Sequence, residues 1–160
     1  MNDNIQLRLG KVVSFIGELT VLNTQIEDSI NELLTSYFFT SNHKKDEFMR
    51  FMLYRCGLSY QSKIDCLRFI ADSIKDKARR EQFEQTIMFA MRFNMVKEKL
   101  VCGRLLHVED PEKMEIRTVN EIYRYDDSDV SPEYVDGLRR TALNTISELK
   151  ESKKYFDENT

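Results

Sequence analysis

A chain of 160 residues can bury a core of ordinary size, and a formal charge of −3, from 24 Lys plus Arg against 27 Asp plus Glu, leaves no overall basic field for non-specific nucleic-acid binding. With 5 Gly and 2 Pro beside 32% charged and 41% hydrophobic residues, the composition favours long helices over many-stranded sheets with tight turns. Charged residues break every apolar run short of the ~18–20 residues a membrane span needs, and Met1-Asn2-Asp3-Asn4 lacks a signal-peptide pattern, so a soluble, cytoplasmic single domain over 1–160 is expected.

From Leu9 the apolar residues recur at gaps of three and four, through Val12, Ile16 and Leu19, then Ile26, Ile30, Leu33 and Tyr37. That spacing predicts a long amphipathic helix. Phe15, Leu22, Leu34, Phe38 and Phe39 widen its stripe, as for the spine of a bundle that packs on more than one neighbour. Asn23 falls where the repeat asks for a hydrophobe; it either fixes register or is an amide satisfied at the core edge, the more ordinary case. Thr40 to Lys45 reads as a loop, Asp46 to Cys56 as a short helix, and Gly57 as the left-handed residue that closes it.

Ser59 caps the next helix, whose face carries Tyr60, Ile64, Leu67, Ile70 and Ile74 before it fades into Lys75–Arg80. A fourth helix presents Phe83, Ile87, Ala90, Met91, Asn94 and Val101 on its apolar side and ends at Gly103. Two short extended runs flanking Glu109-Asp110-Pro111-Glu112-Lys113 predict a small β-hairpin over about 104–120. The acidic tract Asp126-Asp127-Ser128-Asp129 lacks calcium-loop spacing and reads as a solvated loop. Ser131-Pro132-Glu133 opens a last helix over about 131–156, beyond which the charged tail is expected to fray. The fold class is thus mainly α, an up-and-down bundle of four to five helices with a hairpin before the last.

Chemistry-bearing residues are few. His43 sits in a polar loop and reads as a surface residue. His107 follows Cys102 by five positions, and a thiol beside an imidazole is a known nucleophile arrangement. Against this, the helix end at Gly103 separates them, no third orienting residue is evident, and cysteine is usually a small buried hydrophobe. Arg79, Arg80, Arg92, Lys97, Lys99 and Arg104 outweigh Glu81, Glu84 and Glu98 in the one locally basic stretch, which can meet phosphates but in the plainer reading is a solvated helix face. Cys56, Cys66 and Cys102 have no metal-ligand spacing, and no phosphate-cradling glycine loop or hydrolase motif occurs. No metal and no cofactor are expected.

The long first helix with Leu9-Gly10-Lys11-Val12-Val13 and Glu18-Leu19, the run Leu58–Leu67, and the helix ending Lys99-Leu100-Val101-Cys102-Gly103 resemble the HEPN superfamily of prokaryotic and archaeal α-helical proteins. Active members of that family carry Arg-Asn, three variable residues and His, often followed by Gly, and build a metal-independent ribonuclease site across a dimer. With Gly103 on the family glycine, Lys97, Glu98 and Cys102 stand where Arg, Asn and His are expected. A thiol that titrates near ~8.5 does not replace an imidazole as a proton shuttle at neutral pH. Arg92 and Asn94 lie one to two turns upstream, within reach of the same groove.

The resemblance therefore implies a non-catalytic homodimeric module in a defence or toxin–antitoxin setting. Its fourth helix and hairpin would engage a protein partner such as an antitoxin, or RNA, with Lys97, Glu98, Lys99 and Arg104 as binding candidates. The alternative is a divergent metal-independent ribonuclease toxin with Arg92, Asn94, Cys102 and His107 as catalytic candidates.

Overall fold

Short polar side chains set the starts of the helices. In the computed structural model, which describes residues 3–39, 42–50, 57–102, 104–105, 115–119, 125–129 and 131–159, the Ser59 hydroxyl accepts the Ser62 amide at 3.0 Å. It thereby opens α3 (Tyr60–Ser73). Asp76 does the same for α4 (Lys77–Cys102), accepting the Arg79 amide at 2.8 Å. Ser131 accepts the Tyr134 amide at 3.2 Å ahead of α5 (Pro132–Asn159). Gly57, at φ 64°, holds the left-handed conformation that its place between helices requires.

The remaining helices are α1 (Asp3–Phe38) and the short α2 (Asn42–Phe48). Contacts among α1, α3, α4 and α5 make a mainly α bundle, in which α1 and α4 each touch both α3 and α5.

Side-chain pairs fix the directions of these helices. Arg139 on α5 meets Glu18 at a sequence separation of 121, and Ser36 near the end of α1 donates to Asp157 at the same separation. A constant offset over about 27 Å of helix means that α1 and α5 run parallel. Lys63 meets Glu27, and Tyr37 meets Ser73, both at a separation of 36, so α3 is parallel to α1 as well. Of the four long helices α4 runs the other way, since Gln82 meets Glu148 while the earlier Arg79 meets the later Tyr155.

The 21 residues from 39 to 59, which include α2, separate α1 from the parallel α3, whereas Ile74–Asp76 permits only an antiparallel return into α4.

One hydrophobic cluster runs through the bundle, with Leu19, Ile26, Ile30, Leu33, Ile64, Leu67, Ile70, Phe83, Ala90 and Leu149 essentially without solvent contact. Phe156 closes one end of it, edge to face with Tyr37 and Phe83 at centroid distances of 5.3 and 5.8 Å. The expected tail does not fray: α5 continues to Asn159, where Asp157 is tied to Ser36.

Three further expectations change. Asn42–Lys45 is helical rather than loop, and α2 ends at Phe48, so most of the Asp46–Cys56 helix lies outside the described residues. On α4, Phe93 and Leu100 are buried while Val101 is 49% exposed, because the stripe drifts around the helix. The tract Asp126–Asp129 belongs to a strand. It lies in β3 (Tyr125–Asp129), which pairs antiparallel with β2 (Glu115–Val119) in the register Thr118 to Asp126. β2 also pairs with β1 (Arg104–Leu105), Arg104 opposite Arg117, and lies against α4. Backbone pairing explains why so acidic a stretch is extended: alternating pleat positions separate neighbouring charges. The turn expected around Glu109–Lys113 lies outside the described residues.

Candidate functional site

The second half of α4 carries most of the residues that the sequence singles out. Two positions on an α-helix are about 200° apart, so Arg92 and Asn94 diverge. Arg92 is exposed, on the side that also presents Met95 and Lys99. Asn94 is half-buried on the other side, where its Nδ2 donates to Glu98 Oε1 at 3.1 Å. Lys97 Nζ comes within 3.9 Å of the same Glu98 oxygen. The structure thus brings Asn94, Lys97 and Glu98 together and sets Arg92 and Lys99 apart from them.

Cys102 is a free, exposed thiol at the last position of α4. Arg104 enters through its backbone only, opposite Arg117, and His107 lies outside the described residues.

One turn before Asn94, the carbonyl of Ala90 accepts the Tyr60 hydroxyl at 2.9 Å. Burial, and then the charge of Glu27, push that phenol well above its ordinary titration range. Lys63 is 2% exposed and donates to Glu27 Oε1 at 2.5 Å. Asn23 and Asn31, one turn to either side of Glu27 along α1, are also buried, and each has a carbonyl oxygen with no hydrogen-bond partner.

This polar seam between α1 and α3 is absent from the sequence-based candidates. Spacing held a signal for it, since Lys63 falls three after Tyr60 and four before Leu67, within the apolar stripe of α3. A lysine there buries its methylenes and requires a carboxylate partner.

The concave surfaces lie elsewhere. A groove of ≈ 560 Å³ runs between α4 and α5, with Gln82 and Thr86 facing Thr145 and Glu148. Another, of ≈ 550 Å³ between α3 and α4, has Ala71, Ile87 and Met91 at its base and Arg68, Asp72 and Glu84 around it. None of Arg92, Asn94, Lys97, Glu98, Lys99 and Cys102 lines either groove. Among the described residues no group of His, Cys, Asp and Glu is placed to hold a metal ion, and no helix is long and apolar enough to cross a membrane.

Comparison with protein-family models, with curated proteins and with solved structures finds no match.

Proposed function

We propose that this chain is a non-catalytic helical-bundle module of HEPN-like type. It self-associates as a homodimer and engages a protein partner, such as an antitoxin, in a defence or toxin–antitoxin setting. The divergence of Arg92 and Asn94 on α4 carries this reading: a guanidinium and an amide on different sides of one helix do not converge on a shared substrate atom. The free thiol of Cys102 at the family histidine's place supports it further.

The solvent face of α4 suits contact better than chemistry. Phe89, Arg92, Met95 and Lys99 are all exposed along it, and aromatic, methionine and arginine side chains are those enriched at protein interfaces. In the alternative reading the chain is a divergent metal-independent ribonuclease, favoured by the exposed cations Arg92 and Lys99 on one face.

Incubation of purified protein with structured and unstructured RNA in chelator, beside Arg92→Ala and His107→Ala variants prepared identically, tests both. Absence of cleavage by all three is the expected result. Cleavage that disappears in either variant overturns the non-catalytic reading.

A further inference from the structure

The floor of the groove between α4 and α5 is set by threonine hydroxyls that act as acceptors, while Gln85, Asn144 and Ser147, which can donate as well as accept, line the rest of it. Thr86 Oγ1 donates to the Gln82 carbonyl at 3.0 Å, Thr141 Oγ1 to Gly137 at 2.9 Å, and Thr145 Oγ1 to Thr141 at 2.8 Å. Each hydroxyl has one proton, and each proton is committed to the residue's own helix. All three line the groove, so it receives their lone pairs. Thr86 and Thr145 are buried, which places two of these acceptors at its base.

At one end stands Glu148, the only charged residue among the described residues of the lining. Its Oε2 accepts Gln82 Nε2 at 2.7 Å, and Gln82 Oε1 in turn accepts Arg79 Nη1 at 3.2 Å. Arg79 is itself set over the Tyr155 ring, 5.3 Å from its centroid. This chain holds the Glu148 carboxylate in place and leaves its Oε1 for a ligand. α4 and α5 are antiparallel, so Phe89, a residue 42% exposed, stands at the opposite end near Thr141. The distance along α4 from Gln82 to Phe89 is about 10 Å.

We propose that this groove binds a linear organic polyamine, with one ammonium on Glu148, the opposite ammonium on the face of Phe89, and the N–H groups between them on Thr86 and Thr145. A carboxylate and an aromatic face both attract ammonium groups, and an acceptor-lined floor needs a donor-rich occupant. An anionic ligand meets no lysine, arginine or histidine in the lining. A neutral polyol can use the threonines but gains no charge from Glu148 or Phe89. Phe89 also belongs to the exposed α4 face of the interaction-module reading, whereas Glu148, Thr86 and Thr145 do not, and the inference rests on them without that reading.

The test is titration of the intact protein with spermidine, followed by calorimetry and by amide chemical shifts, beside a neutral ethylene-glycol oligomer of similar length. Spermidine is expected to bind with one-to-one stoichiometry and to shift amides of α4 between 82 and 89 and of α5 between 141 and 148, whereas the glycol does not bind. Loss of the charge-assisted contact in Glu148→Gln should weaken spermidine about tenfold or more. The isosteric Thr145→Val should weaken it severalfold, and Glu151→Gln, on the exposed side of α5, should change nothing.

An equal loss in Glu148→Gln and Glu151→Gln would reduce the effect to the general attraction of an acidic protein and overturn the site. So would binding of the glycol as tight as that of spermidine, or no binding of either. Thermal unfolding of each variant separates a lost contact from a lost fold.

Discussion

The ammonium of Lys63 lies 2.5 Å from the carboxylate of Glu27, and of the two only Lys63 is sealed from water, at 2% exposure against 35%. That asymmetry decides what each substitution does. Glu27→Gln strands a buried cation and is expected to cost about 3 kcal/mol, at the low end for breaking a buried pair because Glu27 reaches solvent. Lys63→Met keeps the methylene packing and leaves a carboxylate that can hydrate, so it should cost less, on the order of 1 kcal/mol. The double variant should recover most of the loss of Glu27→Gln. Urea unfolding of all three checks this, and equal costs for the two single changes would contradict it.

Leu67 and Phe69 are two positions apart on α3 and face opposite ways. Leu67 has no exposed surface, and Phe69 is 62% exposed. Leu67→Ala should therefore destabilise the fold by about 2–5 kcal/mol, through lost transfer energy and the cavity left behind. Phe69→Ala should stay within about 0.5 kcal/mol. Chemical denaturation of both variants measures the contrast, and comparable losses would place Phe69 in an interface that the monomer does not contain.

How far the sequence was legible follows from which interactions are local. Helix starts at Ser59 and Ser131 and the left-handed backbone at Gly57 depend on residues within one turn, and the structure has each of them. The apolar stripe of α1, from Val12 to Leu33, was equally readable from its period. Helix direction was not, because a stripe has no sign. Whether α3 runs with or against α1 depends on where Lys63 finds Glu27, which no local pattern encodes.

The site followed the same division. Arg92 and Asn94 could be counted along α4, yet placing both in one groove overlooked the angle between them. Gln82, Thr145 and Glu148 carry no signal in the sequence, because only the antiparallel packing of α5 on α4 brings them to one groove.

A pH dependence is expected where Arg139 grips Glu18. The guanidinium donates through Nε at 2.5 Å and Nη2 at 2.9 Å, and it also bonds Asp136. The hydrogen bond from Arg139, and then its charge, hold the Glu18 carboxyl below its ordinary 4.5, against the opposing effect of burial. A carboxyl lowered on folding adds stability that is complete above the unfolded value and is lost as pH falls through the folded one. The melting temperature of the native protein should thus exceed that of Glu18→Gln at pH 7, and the gap should close below about pH 4. Both side chains are more than a third exposed, so the gap is small and should shrink further in about 1 M salt. Melting curves at both pH values and both salt levels test this; a gap that widens in acid would contradict the assignment.

The interaction-module reading makes its most direct prediction at Met95, which is 51% exposed on the α4 face shared with Arg92 and Lys99. If that face is where two copies meet, Met95→Glu places a carboxylate against its own image across a two-fold axis. Burying like charges opposite one another disfavours the pair strongly. Self-association should weaken by about tenfold or more, equivalent to about 1.4 kcal/mol. Phe69→Glu, on the outer side of α3, should leave it unchanged. Sedimentation velocity across a concentration series reads both. A native protein that stays monomeric throughout the series rejects the homodimer, whereas equal weakening by the two variants moves the contact from α4 to a surface that includes α3.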